Sequence, residues 1–274
     1  MCRCPAHADR SPSLSIRVGK SALLFHCFAG CDSRDVIRAL LAIDPGALEH
    51  GISSHDVPDN DDNGWIVSRV RDLWSRGQSI SGSPADRYLH GRAITRGSPA
   101  LRYHAHTPLG PKGAVRFRPA MLAAVHEGPR LVALERTFLD ADRGRRSRDL
   151  REPRRMLGQP GRGCVRLARA HDVLGLAEGV ESAISAMVLL GIPVWATLGS
   201  ERFGRVDIPD RIQRLILLAD NDPAGHLAIE AASSALAAGG RSIEVQWPWG
   251  GLNDWNDVLR KGGKGVGGQA RHMA

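Results

Sequence analysis

Lysine is scarce in this chain. Only Lys20, Lys112, Lys261 and Lys264 occur among 274 residues, so nearly all of the 37 basic side chains are guanidinium groups. No secretory signal is visible either: Met1 runs straight into Cys-Arg-Cys-Pro, with no basic start feeding an apolar stretch. The segment Ser182 to Ser200 is uncharged and nearly long enough to span a bilayer, but Gly191 and Pro193 interrupt it and it parses as a helix followed by a strand. It is read as buried core, which predicts a cytoplasmic protein with no membrane partner. The cysteines Cys2, Cys4, Cys27, Cys31 and Cys164 are an odd set in a chain too long to need disulfide staples, and point to a reducing compartment. A phosphate loop is lacking too: Leu14 stands where Gly19-Lys-Ser21 would need its first glycine, so the triplet reads as a hairpin turn. No internal repeat recurs at a fixed period.

What is present fits a folded chain of one large or two modest domains plus a small appendage. With 42% hydrophobic and 24% charged residues, wholesale disorder is excluded. The formal charge is +8. Arginine suits bidentate phosphate contacts, although a chain rich in Ala and Gly could carry it as compositional bias. Its distribution favours a polyanionic partner: eleven arginines lie between Arg136 and Arg169 against Asp140, Asp142, Asp149 and Glu152. Binding there would be salt-sensitive.

Along the chain, residues 1–43 are dense in Cys, His and short alternating strands, and 44–64, with the run Asp59 to Asn63, reads as an acidic linker. From Trp65, the residues Ile66, Val67, Val70, Leu73 and Trp74 recur at helical spacing, and Ser83-Pro84 signals a second helix start. Residues 100–167 carry short apolar runs broken by Gly and Pro, which predicts mixed or antiparallel strands. From 172 onward strands at 173–177, 193–198, 215–219 and 243–247 alternate with helices at 180–190 and 227–238, the pattern of a parallel α/β sheet. The glycine-rich stretch 262–274 reads as a frayed tail. The predicted fold is therefore α/β: a C-terminal Rossmann-like domain over 171–261, a mixed α+β basic subdomain over 65–170, and an N-terminal zinc ribbon over 1–43.

Two constellations carry chemistry. In the first, Cys4-Pro-Ala-His7 and Cys27-Phe-Ala-Gly-Cys31 are separated by nineteen residues that can form a hairpin. Thiolates and an imidazole at two such knuckles suit a structural, four-coordinate zinc with no open position for catalysis. Cys2 could replace Cys4, His26 could compete beside Cys27, or all could be ordinary buried residues. So small a unit would draw much of its folding free energy from the metal. Phe25 or Phe28 could stack on a base or pack in the core.

The second constellation is acidic. The strand at 173–177 runs into Glu178-Gly-Val-Glu181, that at 215–219 into Asp220-Asn-Asp222-Pro-Ala-Gly225, and Asp254 and Asp257 follow the last strand. Carboxyl ends of parallel strands share one crevice, and carboxylates gathered there select magnesium or manganese. Asp222 and Asp254 would also serve as helix N-caps.

Ala-Glu178-Gly followed by Ala-Asp220-Asn-Asp222-Pro-Ala-Gly225 resembles the Toprim domain of bacterial-type primases, topoisomerases and some nucleases, and the Cys/His knuckles resemble the primase zinc-binding domain. Arg136-Thr-Phe-Leu-Asp140 and Arg154-Arg-Met-Leu-Gly158 resemble the segment preceding Toprim in plasmid- and phage-encoded primase-like proteins. The resemblance implies a DNA primase that makes short RNA primers on single-stranded DNA from nucleoside triphosphates, with a helicase supplied in trans. It implies magnesium or manganese on Glu178, Asp220 and Asp222, with Asp254 a looser match, and template or triphosphate contacts from Arg136, Arg154 and Arg155. Glu181 lies one position short of where replicative primases often place another acid. The alternatives are a Toprim-type nuclease or a non-catalytic nucleic-acid-binding module. A topoisomerase would need a tyrosine nucleophile, and neither Tyr88 nor Tyr103 lies in a strand-passage context.

Overall fold

The computed structural model describes residues 2–9, 12–18, 23–43, 62–111, 114–237, 240–262 and 271–272. The turn predicted at Gly19-Lys-Ser21 and the linker up to residue 61 lie outside them. The chain divides into two compact units, Met1–Asn60 and Asp61–Ala274.

In the first unit, β1 (Leu14–Val18) and β2 (Leu23–Cys27) pair antiparallel with Leu14 opposite Cys27 and Ile16 opposite Phe25. Strand alternation sends Leu14 and Cys27 inward and leaves Leu24 and His26 exposed. Helix α1 (Ser33–Ile43) adds Val36 to a core otherwise made of Cys4, Leu14 and Cys27.

The second unit opens with two helices. Helix α2 (Asp62–Ser75) begins inside the predicted linker, three residues before Trp65, and buries Val70 and Leu73. Helix α3 (Pro84–His90) starts as expected, with the Ser83 hydroxyl accepting from the backbone N–H groups of Ala85 and Asp86.

The strands that follow are long, where the sequence predicts short broken ones. β3 (Leu101–Leu109), β4 (Arg116–Glu127) and β5 (Arg130–Asp140) form an antiparallel meander. Pro119, which reads as a break, lies opposite a register shift between His104 and Thr107, so its missing N–H costs no ladder bond. β4 is buried on both faces: Ala120, Leu122 and Ala124 pack with α2, while Met121, Ala123 and Val125 belong to the core that contains α3. Beyond β5 lie β6 (Arg145–Arg146) and β7 (Arg154–Gly158), both paired to it.

The C-terminal half follows the predicted alternation. β9 (Val173–Ala177), β10 (Val194–Ala196), β11 (Arg214–Leu218) and β12 (Ser242–Val245) run parallel in the order β12-β11-β9-β10. α4 (Val180–Leu190) and α6 (Trp255–Arg260) pack in the same core as α3, and α5 (Pro223–Ala237) packs in another with Phe203. The uncharged stretch 182–200 is α4, a turn and β10, and among the described residues no helix is long and apolar enough to cross a membrane.

The boundary placed between 170 and 171 runs through a continuous sheet. β8 (Cys164–Val165) pairs with β4 on one side, through Val125 and His126, and with β10 on the other, through Ala196, joining the meander to the parallel strands in one eleven-stranded sheet. Within the expected tail, β13 (Arg271–His272) pairs antiparallel with β12.

Helix α6 is fixed by one buried amide. Asn256 donates to the Arg92 carbonyl at 2.9 Å and to Ser185 Oγ at 3.0 Å, and accepts from Arg92 Nη1 at 2.7 Å. Truncation strands a buried carbonyl and a guanidinium N–H, so Asn256→Ala should lower stability by about 2 kcal/mol. A shift of the urea midpoint with unchanged slope is the expected reading.

Candidate functional site

Parallel strands deliver their carboxyl ends to one edge, and four acids arrive there. Glu178 follows β9, Asp220 and Asp222 follow β11, and Asp254 precedes α6 after β12. The loops are tied together: Leu198 N–H donates to the Glu178 carbonyl at 2.8 Å, and Asn221 N–H to the Asn253 carbonyl at 2.7 Å. Burial, then the nearby Glu178, Asp254 and Asp222, push the Asp220 carboxyl up to about 7, against the Ser182 hydroxyl at 3.5 Å. Burial also raises Glu178, with Asp222 and Glu201 adding to it and Arg154 opposing.

The capping roles hold at the same time. Asp222 accepts from Gly225 N–H and Asp254 from Asp257 N–H, each at 2.7 Å and each through Oδ1. Gly225 is required here, since a Cβ would lie 2.1 Å from the Asp220 carbonyl oxygen. A donor set of carboxylate oxygens at one sheet edge, with no ion pair to Asp220 or Asp222 among the described residues, suits a hard divalent cation.

Sequence reasoning misses Glu201. It follows β10, the remaining parallel strand, and folds back over Gly199, where a Cβ would meet its Oε1 at 2.6 Å. Gly199 has φ +145°, a conformation that disfavours any side chain.

Glu181 does not join the half-buried acids of the sheet edge. It is buried, and its carboxylate is gripped by Arg154 and by the Tyr88 hydroxyl, with Arg146 Nη2 at 3.6 Å. Burial alone would push it up; Arg154, Arg146 and Tyr88 pull it down to about 2. Glu135 on β5 is raised by burial to about 7, with Glu181 adding and Arg154 and Arg146 opposing. The network holds Arg154 beside the acidic edge, with Nη1 3.9 Å from where a Gly179 Cβ would stand.

The three arginines grouped by sequence divide between two faces of the sheet. Thr137 pairs with Arg154 and Arg136 with Arg155, so Arg154 lies on one face and Arg136 and Arg155 on the other. Arg136 turns its guanidinium onto the Pro108 carbonyl at 2.7 Å and the Met156 carbonyl at 3.2 Å, and Arg155 pairs with Glu152 at 2.9 Å. Arg136 and Arg155 are therefore separated by the sheet from the face where Arg154 meets Glu181.

In the first unit, ligand atoms of Cys4, His7, Cys27 and Cys31 all lie within 4.8 Å of one another, a spacing a single metal ion could bridge. Among the described residues this is the sole group of three or more Cys, His, Asp or Glu that is so tight, so the acids at the sheet edge stand farther apart. Cys2 is exposed and turns toward the Leu14 carbonyl, and His26 packs edge-on against Phe28, so neither competes. Phe25 packs against the small core, whereas Phe28 is 63% exposed. His7 points Nδ1 at Cys31 Sγ, 3.2 Å away, and Nε2 at Asp9, 3.6 Å away. A carboxylate behind the distal nitrogen is the arrangement that orients a metal-binding imidazole. Asp9 also accepts from Cys4 N–H at 2.7 Å, a role that ligand spacing does not reveal.

The raised Asp220 carboxyl gives a pH test. Its folded value of about 7 exceeds the ordinary 3.8, so its contribution to stability is complete at low pH and is lost as pH rises through 7. The metal-free protein should therefore lose thermal stability from about pH 4 to about pH 7 more steeply than Asp220→Asn, with the difference levelling off above that. Added magnesium should restore the loss at the upper end only, where no proton competes. Melting curves of both proteins, with and without magnesium, check this.

A Toprim domain family model matches residues 173–265, and a model described as a domain of unknown function (DUF7146) matches residues 66–167. No curated protein matches the chain. Among solved structures, the zinc-binding and RNA polymerase domains of Aquifex aeolicus primase align at 17% identity and TM-score 0.52, covering 96% of this chain and 75% of that one. A DNA primase domain from Pseudomonas aeruginosa aligns at 15% identity and TM-score 0.52, covering 72% and 75%. The DnaG primase catalytic domain bound to ssDNA aligns at 16% identity and TM-score 0.54, covering 75% and 77%. Residues 173–265 thus form a Toprim domain, in a chain that shares the fold of bacterial-type primase cores.

Proposed function

We propose that this protein is a primase-like nucleotidyltransferase that makes short RNA primers on single-stranded DNA. The observation that carries the reading is the convergence of Glu178, Asp220, Asp222 and Asp254 at one sheet edge, where burial and then the neighbouring carboxylates lift Asp220 to about 7. These residues would hold magnesium or manganese, which neutralises charge on the transferring phosphoryl group and leaving pyrophosphate when bound. Arg154 would contact triphosphate or template phosphate from beside Gly179, held in position by Glu181 and Tyr88. The Asp222 and Asp254 caps would keep those carboxylates fixed as charge builds up, so that little reorganisation is needed.

Zinc on Cys4, His7, Cys27 and Cys31 would be structural, with Asp9 orienting His7. The exposed Phe28 would offer a stacking face to a template base. Unwinding would fall to a helicase in trans.

Incubation with single-stranded DNA, labelled ribonucleotides and magnesium should yield short oligoribonucleotides, and Asp220→Ala should yield none while keeping its zinc. Cut DNA would identify a nuclease, and binding without turnover a module; primers from Asp220→Ala at the wild-type rate would refute the site. Cys27→Ser should lose the zinc and unfold the β1–β2 hairpin and α1, with the melting of the larger unit unchanged. Metal analysis and proteolysis read this.

A further inference from the structure

We infer that the face of the sheet opposite Arg154 is a second binding surface, for single-stranded nucleic acid, independent of the carboxylate site and of the primase reading. A groove of about 360 Å³ runs between α2 and the β3–β4 strands, with Arg69, Arg76, His104, His106 and Phe117 among its walls. Two further arginines, Arg136 and Arg155, stand beside it on the same face of the sheet. Arg136 and Arg155 are cross-strand neighbours, an arrangement of like charges that is unfavourable without a counter-charge. Burial, and then Arg69 and Arg155, weaken Arg136's hold on its proton, lowering it to about 10. Arg136 donates to the carbonyl of Pro108, which itself lines the groove.

Two acids face these groups. Asp72 stands 3.5 Å from Arg76, and Glu152 pairs with Arg155, both pairs being exposed enough to open at little cost. Arg69 carries its charge over Trp65, 5.0 Å from the ring centroid, and Trp65 is 50% exposed. Phe117 is 66% exposed and Val115 38%.

A folded acidic protein would match the charge, and the poly-glutamate arm of the test below separates it from nucleic acid. A flexible strand of nucleic acid uses both the charge and the aromatic faces, with phosphates on Arg69 and Arg155 and a base on Phe117. The sheet itself, with Glu135 and Arg154 on its other side, separates this surface from the carboxylate edge, so a strand could be held here while chemistry proceeds elsewhere.

The test is binding of a fluorescein-labelled oligothymidylate of about 16 nucleotides to the full chain without added magnesium, by anisotropy across a salt series. The double variant Arg69→Ala/Arg155→Ala should bind roughly tenfold more weakly near 0.1 M salt, with the slope of log affinity against log salt reduced by about 1.4. Phe117→Ala should lose affinity severalfold with the slope unchanged, because stacking releases no counterions. Wild-type affinity and slope in both variants would overturn the proposal. So would displacement of the DNA by poly-glutamate at equal charge concentration with Phe117→Ala unaffected, which would make this a surface for acidic polypeptide. Because binding is read without magnesium, loss of primer synthesis in the same preparation would count against the primase reading alone.

Discussion

Repulsion among carboxylates at the end of a parallel sheet is the constraint around which the larger unit is organised. Two strand ends and the loop before α6 bring Glu178, Asp220, Asp222 and Asp254 to one edge, and Asp220 rises to about 7 through burial first and then the charges of Glu178, Asp254 and Asp222. A fold built only for stability would place a basic side chain there. Here the nearest guanidinium, Arg154, is held by Glu181, so it moderates Glu178 without filling the gap between the aspartates. The surrounding architecture serves that tension. Gly225 lets α5 start close to Asp220, and the Asn256 amide fixes the helix that Asp254 caps.

Glu181 shows how position changes the role of an acid. It is three residues from Glu178, yet it lies in the first turn of α4 among buried neighbours rather than at the strand end. A buried carboxylate needs paired donors, and Arg154, Arg146 and Tyr88 supply them. Its partners lie 93, 35 and 27 residues away in the chain, which ties α3, β6 and β7 to the start of α4. The network therefore fixes both the helix and the one guanidinium beside the acidic edge.

The parallel half was legible because its strands are short, largely apolar runs, two of which lead into Glu178 and Asp220, so Val173–Ala177 and Val180–Leu190 can be read to the residue. The meander was not. Pro119 reads as a break, and only the register shift opposite it shows that the ladder survives. The two-residue strand β8 joins the halves, and such a strand has no periodicity to read. At the site, the spacing of Cys4, His7, Cys27 and Cys31 was enough to find the cluster, whereas Asp9 supports it through a distal imidazole nitrogen that no spacing rule encodes.

The arginines are the instructive case. Arg154 and Arg155 are adjacent in sequence and equal in charge, so composition treats them as one patch. In a strand, adjacency means opposite faces, and which face each takes is set by the pairing of β7 with β5. That pairing sends Arg154 to Glu181 and the acidic edge, and Arg155 to Arg136 and Arg69 behind the sheet. The preference for arginine over lysine has a reason on both sides. The planar fork that Arg154 needs to reach a buried carboxylate also lets Arg136 hold two main-chain carbonyls while keeping its charge, where a desolvated lysine would more readily give up its proton. A basic excess that looks like one property of the chain is thus two separate electrostatic surfaces, joined by a single strand whose pleat assigns each guanidinium its side.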